Sequence, residues 1–546
     1  MDSIEIVLAM LLAVIASAYM VRLLPVSVPL PLVQIGLGFV ISAFTGHGVQ
    51  LDPELFFLLF LPPLLFLDGW RIPNSGLFRD RVVILELAFG LVLFTVLGAG
   101  YLIPLLIPAM PLPVAFALAA VVSPTDPVAV SAMKSRAPMP KRLMHILEGE
   151  ALLNDASGLV CFRFAVAAVA TGTFSIADAS LTFAWLAVGG VAIGVGLTWA
   201  VSVFQGKLAM RFGEPSGSPI LISLLTPFGA YMLAEHVHAS GILAAVAAGI
   251  TMSFMELGGQ VLAATRLQRS AVWDTMQFAL HGVMFVLLGE QLPDILRGAG
   301  NSIEEVGHES RWWLVYYAFA LSAGLIALRF AWVWTTLRIT LYRRNRNDPE
   351  KSERPHWRLL LATSLAGVRG SITLAGVMTL PLVLPNGEPF PARDLTILLA
   401  STVILISLIA AGVGLPRLLG GMHFPEEPAE RQQEDLARRA ASTAAIASIE
   451  KAQIDLLPTA ETPACFPQAA ERVISLYEHR LNVASQDEDD SAAHYRDLDK
   501  AERVLRLAAI KAERHAIFEL AQHYHISDEI ARKIVREIDL VEARHR

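Results

Sequence analysis

The sequence predicts an all-α polytopic membrane protein with a helical cytoplasmic tail. The 546 residues are 54% hydrophobic and only 17% charged, whereas soluble domains carry about a quarter charged residues. Long apolar runs fill the chain up to residue 421, and the whole net charge of −7 lies from Glu426 onward. We therefore expect a transmembrane domain over residues 1–421 and a helical tail over residues 422–546 that is regulatory or stabilises a dimer.

Apolar runs recur at the length that crosses a bilayer, which needs roughly 20 residues per helix. They predict about thirteen transmembrane segments. These lie near residues 4–22, 28–45, 53–70, 82–106, 113–133, 143–171, 179–205, 217–235, 239–256, 272–291, 312–337, 357–384 and 395–420.

The loop charges predict the orientation of these segments. Cytoplasmic loops carry the excess of Lys and Arg. Loops after even-numbered segments hold only Arg297, Arg311 and Arg393, and the remaining loop Lys and Arg follow odd-numbered segments. We expect the N-terminus outside a plasma (inner) membrane and the tail in the cytoplasm.

Segment 5 is interrupted by two prolines around an acid. Pro124 and Pro127 lack a backbone N–H and free the carbonyls that precede them. An acid at mid-membrane costs at least about 2.5–3.5 kcal/mol, so it requires a partner, water or a role. Asp126, beside the hydroxyl of Thr125 and loose carbonyls, forms a set of hard oxygen ligands that suits a small alkali cation. The alternative is a proline kink with a satisfied Asp126.

Segment 6 carries several acids within two turns. Glu150 and Asn154 are four residues apart and share a helix face, and Asp155 lies one step further round. Acids this close cannot all stay charged in a low dielectric, so protons and cations should compete for them. The alternative is a capping or packing role for Asn154 and Asp155.

Segment 12 carries a buried arginine between glycines. Gly367 and Gly370 loosen the helix, and Arg369 requires a carboxylate partner. Glu150 is the candidate, which leaves Asp155 and Asp126 for the ion. Arg369 could instead pair with Asp126 or simply hold helices together. A second arginine, Arg329, is placed near the inner end of segment 11, where it could snorkel to the interface.

The two interrupted segments, 5 and 12, lie seven segments apart. Segments 1–6 and 8–13 would then form two inverted six-helix repeats, with segment 7 as a connector. Inverted repeats with broken helices at the midplane are the architecture of secondary transporters.

Four motifs together resemble the monovalent cation:proton antiporter-1 family, the sodium/proton exchangers that include the bacterial NhaP type. The resemblance covers about the first 420 residues. The motifs are Leu61-Pro62-Pro63-Leu64-Leu65-Phe66, Pro124-Thr125-Asp126-Pro127, Glu150 with Asn154-Asp155, and Gly367-Val368-Arg369-Gly370.

The resemblance implies a secondary transporter, not an enzyme, that exchanges Na+ for protons without a cofactor. It implies that Asp155 is the principal cation and proton carboxylate, with Asp126 and Thr125 lining the crossing helix. Asn154 stands where electrogenic relatives have an aspartate, which implies electroneutral exchange. Glu150 and Arg369 would form a structural ion pair. The family is typically a homodimer.

This sequence departs from the family at two positions. Ala151 replaces a serine that many members have. Leu67 stands where others have an acid, and Asp68 follows it about 100° further round the helix. Both changes bear on cation selectivity.

Other functions are less well supported by the residues. A K+/H+ or broad alkali cation/H+ antiporter is the main alternative. An intramembrane aspartyl protease would need a Gly-x-Gly-Asp signature, which the sequence lacks. The two cysteines build neither a disulfide framework nor a zinc site, and no feature indicates nucleic acid as a partner. Six histidines from Phe424 onward could sense pH or bind metal, whereas His281 is expected to be an interfacial or packing residue.

Overall fold

A computed structural model describes most of the chain, including nearly all of the predicted membrane domain. Pro127 and the rest of predicted segment 5 lie outside the described residues. The described ranges are 2–23, 28–45, 53–72, 81–126, 139–171, 176–213, 217–257, 263–305, 312–347, 356–384, 387–420, 422, 428–456, 466–485, 505–507, 509–517, 519–520 and 528–545.

The described part of residues 1–424 forms one compact, nearly all-helical unit. Its helices are α1 (Asp2–Leu23), α2 (Leu30–Thr45), α3 (Pro53–Arg71), α4 (Arg81–Leu85), α5 (Val92–Leu106), α6 (Leu112–Val121), α7 (Lys141–Thr171), α8 (Ile176–Phe212), α9 (Ser218–His236), α10 (Gly241–Leu257), α11 (Ala263–Glu305), α12 (Trp312–Asn347), α13 (Trp357–Leu365), α14 (Ser371–Met378) and α15 (Arg393–Leu419).

Every segment predicted to span the membrane contains helix in this structure. Within the described ranges, eight helices are long and apolar enough to cross a bilayer by length and composition. Shorter apolar helices lie at Leu30–Phe44, Leu112–Val121 and Gly241–Glu256. The predicted class, an all-α membrane protein, is confirmed.

Segment 4 is not one continuous α-helix. A π-helical turn, Glu86–Leu91, joins α4 to α5. The carbonyl of Ala88 in this turn accepts a hydrogen bond of 2.8 Å from Ser157 Oγ on α7. Gly90 lies against the ring of Trp332 on α12, where a Cβ would overlap the indole. The π-helical turn therefore packs closely against both α7 and α12.

Small residues bring two pairs of helices into backbone contact. Gly38 of α2 lies against the Val286 carbonyl of α11, and Gly289 of α11 lies against the Ile35 carbonyl of α2. Gly249 of α10 makes the same kind of contact with α3. Close approach at small residues increases van der Waals contact, which stabilises helix pairs in a bilayer. These pairs form a tightly packed part of the bundle.

The described helix of segment 5 ends, and the helix of segment 12 is interrupted, near the middle of each predicted segment. α6 ends at Val121, and residues 122–126 are not helical. α13 ends at Leu365 and α14 begins at Ser371. Pro124 cannot donate to the helical ladder, and the residue before a proline is disfavoured in the helical conformation. Gly367 and Gly370 lie in the second break.

The described part of residues 425–546 forms a second compact unit. It contains α16 (Pro428–Leu456), α17 (Phe466–Ser485), helical residues 509–517 and α18 (Asp528–His545). Arg514 contacts both Asp539, at 2.7 Å, and Glu542 of α18. Its hydrogen bond to Glu542 raises the pKa of the Arg514 guanidinium above its ordinary value. These contacts join residues 509–517 to α18.

The tail histidines contribute little to the described structure. His515 is exposed. The side chains of the other five tail histidines lie outside the described residues. Their predicted roles in pH sensing or metal binding therefore stay predictions.

Candidate functional site

The two helix breaks are joined by one backbone–backbone hydrogen bond and by one from a side chain to a backbone carbonyl. Asp126 N–H donates to the Val368 carbonyl at 2.7 Å. In return, Arg369 Nε donates to the Val122 carbonyl at 2.9 Å. Backbone groups left unpaired at a helix end must find partners when they are buried. Each break supplies partners for the other, so the breaks cross at one place.

Arg369 lies at the centre of this crossing. Its guanidinium also donates to the Gly367 carbonyl, and its backbone N–H donates to Ser407 Oγ of α15 at 3.0 Å. The side chain is almost fully buried. These contacts agree with the alternative prediction, in which Arg369 holds helices together.

The predicted ion pair between Glu150 and Arg369 is wrong. Glu150 binds Arg329 of α12 instead, through two parallel hydrogen bonds of 2.6 Å and 2.8 Å. Arg329 Nε also donates to the Thr363 carbonyl at 3.1 Å. Both charged side chains are fully buried. Two parallel N–H···O bonds are the strong geometry for an arginine and a carboxylate.

Arg329 does not snorkel to an interface, as the sequence interpretation allowed. α12 continues to Asn347, well past the predicted end at residue 337, so Arg329 lies near the middle of the helix. Gly367 makes room for its side chain, because a Cβ at position 367 would lie 2.7 Å from Arg329 Cδ. The arginine is therefore enclosed between α12 and the break of segment 12.

Hydrogen bonds extend from Glu150 to the next turn of α7. Thr125 Oγ1 donates to Glu150 Oε1 at 3.2 Å and accepts a hydrogen bond from Asn154 Nδ2 at 3.0 Å. All three side chains are buried. The structure thus brings Thr125 of segment 5 together with Glu150 and Asn154 of segment 6.

Asp155 is the buried acid beside this network. Its side chain is only 6% exposed. It lies close enough to Asp126 and Asp68 for the charges of the three acids to interact. Within the described part of the chain, the Asp155 carboxylate takes no hydrogen bond and no ion pair. A buried carboxylate without such a partner is costly unless it is protonated or binds a cation.

Two further oxygens at the site are buried and unpaired. Ser123 Oγ and Asn154 Oδ1 have no hydrogen-bond partner among the residues that the structure describes. Most buried polar atoms in proteins are paired, so unpaired ones require an explanation. Hydroxyl and amide oxygens are suitable ligands for a hard alkali cation.

Glycines allow the close contacts around the acids. A Cβ at position 370 would overlap the Asp126 carboxylate, and a Cβ at position 158 would overlap the ring of Pro124. Gly370 therefore lets Asp126 reach the backbone of segment 12. Pro127, the fourth predicted helix-breaking residue beside Pro124, Gly367 and Gly370, lies outside the described residues.

Most of the chain matches the model of a known protein family. The family model described as "Sodium/hydrogen exchanger, transmembrane" matches residues 8–421. The chain belongs to this family. Its members are cation/proton antiporters of the membrane, so this multi-pass exchanger is a transporter rather than an enzyme and needs no cofactor.

Two bacterial relatives match nearly the whole exchanger. The Na+/H+ exchanger YjcE of Escherichia coli K12 is 39% identical, over 98% of both chains. The "Sodium, potassium, lithium and rubidium/H(+) antiporter" of Bacillus subtilis is 37% identical, over 97% of this chain and 76% of its own.

One solved structure shares the fold. The sodium proton antiporter MjNhaP1 of Methanocaldococcus jannaschii at pH 8 aligns with a TM-score of 0.55. The alignment covers 77% of this chain and 99% of that one, at 18% identity.

Three residues of the candidate site have surroundings that the sequence did not predict. Arg329 is the partner of Glu150, and Asp68 lies near Asp155, whereas Leu67 is buried in an apolar cluster with Trp273. The signal for Arg329 and Asp68 was their charge inside apolar segments. His281 is the third, because both its ring nitrogens are buried without a described partner and it interacts with the charge of Asp126.

Proposed function

We propose that this exchanger moves Na+ and protons in opposite directions across the plasma membrane by binding them in turn at Asp155. The observation that carries the proposal is the Asp155 carboxylate, which is buried beside the crossing of two broken helices and takes no hydrogen bond or ion pair within the described residues. Asp126, Thr125 and Asn154 supply the other predicted ligands.

Competition at one carboxylate is the coupling step. An ionised Asp155 holds a cation, whereas a protonated Asp155 has lost the charge that binds it. The two ions cannot be bound together. Each time the site opens to the other side of the membrane, it therefore carries either Na+ or a proton. Alternating access of such a site to the two sides exchanges the ions without a separate gate.

The neighbouring residues set up this competition. Thr125 Oγ1 has one lone pair left after donating to Glu150 and accepting from Asn154, and Asn154 Oδ1 is unpaired among the described residues. The bidentate contact with Arg329 neutralises Glu150. Asp155 then remains as the buried acid that takes no hydrogen bond or ion pair within the described residues.

We propose one-for-one, electroneutral exchange, because position 154 carries an amide rather than a second carboxylate. The pH difference would then supply about 1.4 kcal/mol per pH unit. The membrane potential would do no work on the cycle. The N-terminus would lie outside and the tail in the cytoplasm, since the loop charges favour that orientation, and the chain would act as a homodimer.

A broader alkali cation/H+ antiporter is the second candidate. The name of the Bacillus subtilis relative, which includes potassium, lithium and rubidium, favours it. Flexible oxygen ligands without a fixed cage discriminate weakly between cations of different size. Replacing Na+ by K+ in the assay below decides between the two candidates.

Inside-out membrane vesicles with a pH-sensitive dye test the proposal. We expect Asp155→Asn to abolish Na+-dependent proton movement. Asp294→Asn is the matched control, because it removes an exposed acid that pairs only with the nearby Arg297 in the described structure, and it should keep wild-type activity. Full activity in Asp155→Asn would rule out the assigned role.

A further inference from the structure

A pocket separate from the ion site opens between the ends of α3, α10 and α11. Its volume is about 400 Å³. The lining residues are Trp70, Arg71, Ser253, Glu256, Arg266 and Ser270. Neither Asp155 nor any other residue of the helix crossing lines it.

The acid in this pocket is already neutralised. Glu256 accepts hydrogen bonds from Arg269 and, at 2.8 Å, from Trp70 Nε1. Arg71 contacts Asp274 and Gln277 of α11 at the pocket edge. Among the described residues, three arginines of the pocket and its immediate neighbours thus stand against two carboxylates, which leaves one positive charge in excess.

Arg266 supplies that excess charge. Its side chain is exposed, and within the described ranges it takes no hydrogen bond or ion pair. Ser270 follows four residues later and shares the same helix face. A guanidinium with free donors beside a hydroxyl matches the oxygens of a phosphate group.

Exposed apolar side chains stand next in sequence to two of the lining residues. Phe254 and Leu267, next in sequence to Ser253 and Arg266, are 44% and 64% exposed. Trp70 lies one residue from the end of α3, and tryptophan is enriched where a membrane helix meets the headgroups. A ligand that fits both features carries a phosphate at one end and hydrocarbon at the other.

We propose that this pocket binds the phosphate of an anionic phospholipid, with its acyl chains along Phe254 and Leu267. The loop charges predict that this end of the bundle is cytoplasmic. Basic pockets between helices on that side recognise anionic headgroups. The lipid would link α3, α10 and α11 at the membrane surface.

Native mass spectrometry of the delipidated full-length exchanger tests the proposal, with dioleoylphosphatidylglycerol, dioleoylphosphatidylcholine and inorganic phosphate as separate probes. We expect phosphatidylglycerol to bind more tightly than the other two. Arg266→Gln should weaken its binding roughly fivefold, the effect of one basic residue near an anionic lipid. Arg211→Gln is the control, because it removes an exposed arginine of α8 that the loop charges place on the same side.

Four results would overturn the assignment. Equal binding of phosphatidylcholine would remove the role of headgroup charge. Displacement of phosphatidylglycerol by inorganic phosphate at similar concentration would assign the pocket to free phosphate. Equal weakening by Arg211→Gln, or none by Arg266→Gln, would show that the lipid binds elsewhere. Arg266 makes no described contact, so folding of this variant should be unaffected, and its unfolding temperature checks this.

Discussion

Glu150 and Arg329 form a fully buried ion pair whose two charges depend on each other. Both hydrogen bonds of the pair are short, and Thr125 and the Thr363 carbonyl satisfy further atoms. Removing one partner of such a pair leaves an uncompensated charge in a low dielectric, which costs about 3–5 kcal/mol. This pair therefore anchors α12 to α7 beside the proposed ion site.

We expect Arg329→Gln to destabilise the exchanger by about 3–5 kcal/mol, measured as a fall in unfolding temperature in detergent. Arg163→Gln is the matched control. It breaks another ion pair of α7, with Glu235, but that pair is partly exposed, so its loss should cost at most about 1 kcal/mol. Equal stability of the two variants would contradict the buried pair.

A double-mutant cycle separates the observed pair from the one that the sequence predicts. Glu150 should couple strongly to Arg329 and weakly to Arg369, because Arg369 donates to backbone carbonyls of both helix breaks. Unfolding temperatures of the single and double variants give both coupling energies. If Glu150 coupled strongly to Arg369 but not to Arg329, the predicted ion pair between Glu150 and Arg369 would be correct after all.

Single residues were partly predictable from the sequence. Glu150, Asp155 and Arg369 stand out because a charge within an apolar segment is costly. The partner of Glu150 could not be predicted, since Arg329 is 179 residues away. Which helices are neighbours, and at which turn, depends on packing that hydropathy does not encode. The positions of Asp68 and His281 near Asp155 and Asp126 could not be predicted for the same reason.

The crossing of segments 5 and 12 is the element that positions the acids. The breaks were predictable because Pro124 cannot join the helical ladder and Gly367 and Gly370 weaken it. The hydrogen bonds that Asp126 and Arg369 make between the two breaks were not, since these depend on the contact between two distant segments. The π-helical turn was not predicted either, because its contacts with Ser157 and Trp332 come from other helices.

Gly370→Ala should disrupt this crossing, because the new Cβ would overlap the Asp126 carboxylate. We expect the transport rate in vesicles to fall by roughly tenfold or more, since small displacements of binding groups have large effects. Gly196→Ala in α8 is the control, as nothing lies within 4 Å of its Cβ position. Unchanged transport in Gly370→Ala would show that Asp126 need not contact segment 12.

At the level of the whole chain, composition and charge predicted the fold class. The apolar runs end where the family match ends, at residue 421. The inverted repeats, the orientation and the homodimer stay predictions, which rest respectively on the spacing of segments 5 and 12, on the loop charges and on the family resemblance. The direction of the loop-charge bias can be checked with a reporter fused to the C-terminus, which should be active in the cytoplasm.

The transport cycle as a whole is predicted to be insensitive to voltage. A two-for-one cycle would gain about 2.3 kcal/mol for each 100 mV of membrane potential, whereas one-for-one exchange gains nothing. We expect the same ion distribution in proteoliposomes clamped at zero and at a negative potential. If the negative potential changed the distribution of protons and Na+, more than one proton would be exchanged for each Na+.

The pH dependence of the half-saturating Na+ concentration tests the central claim most directly, measured in proteoliposomes with equal pH on both sides. If protons and Na+ compete for Asp155, this concentration should rise about tenfold per unit as pH falls through the range where Asp155 is mostly protonated. The maximal rate at saturating Na+ should stay constant. A maximal rate that falls while half-saturation does not change would contradict competition at one carboxylate.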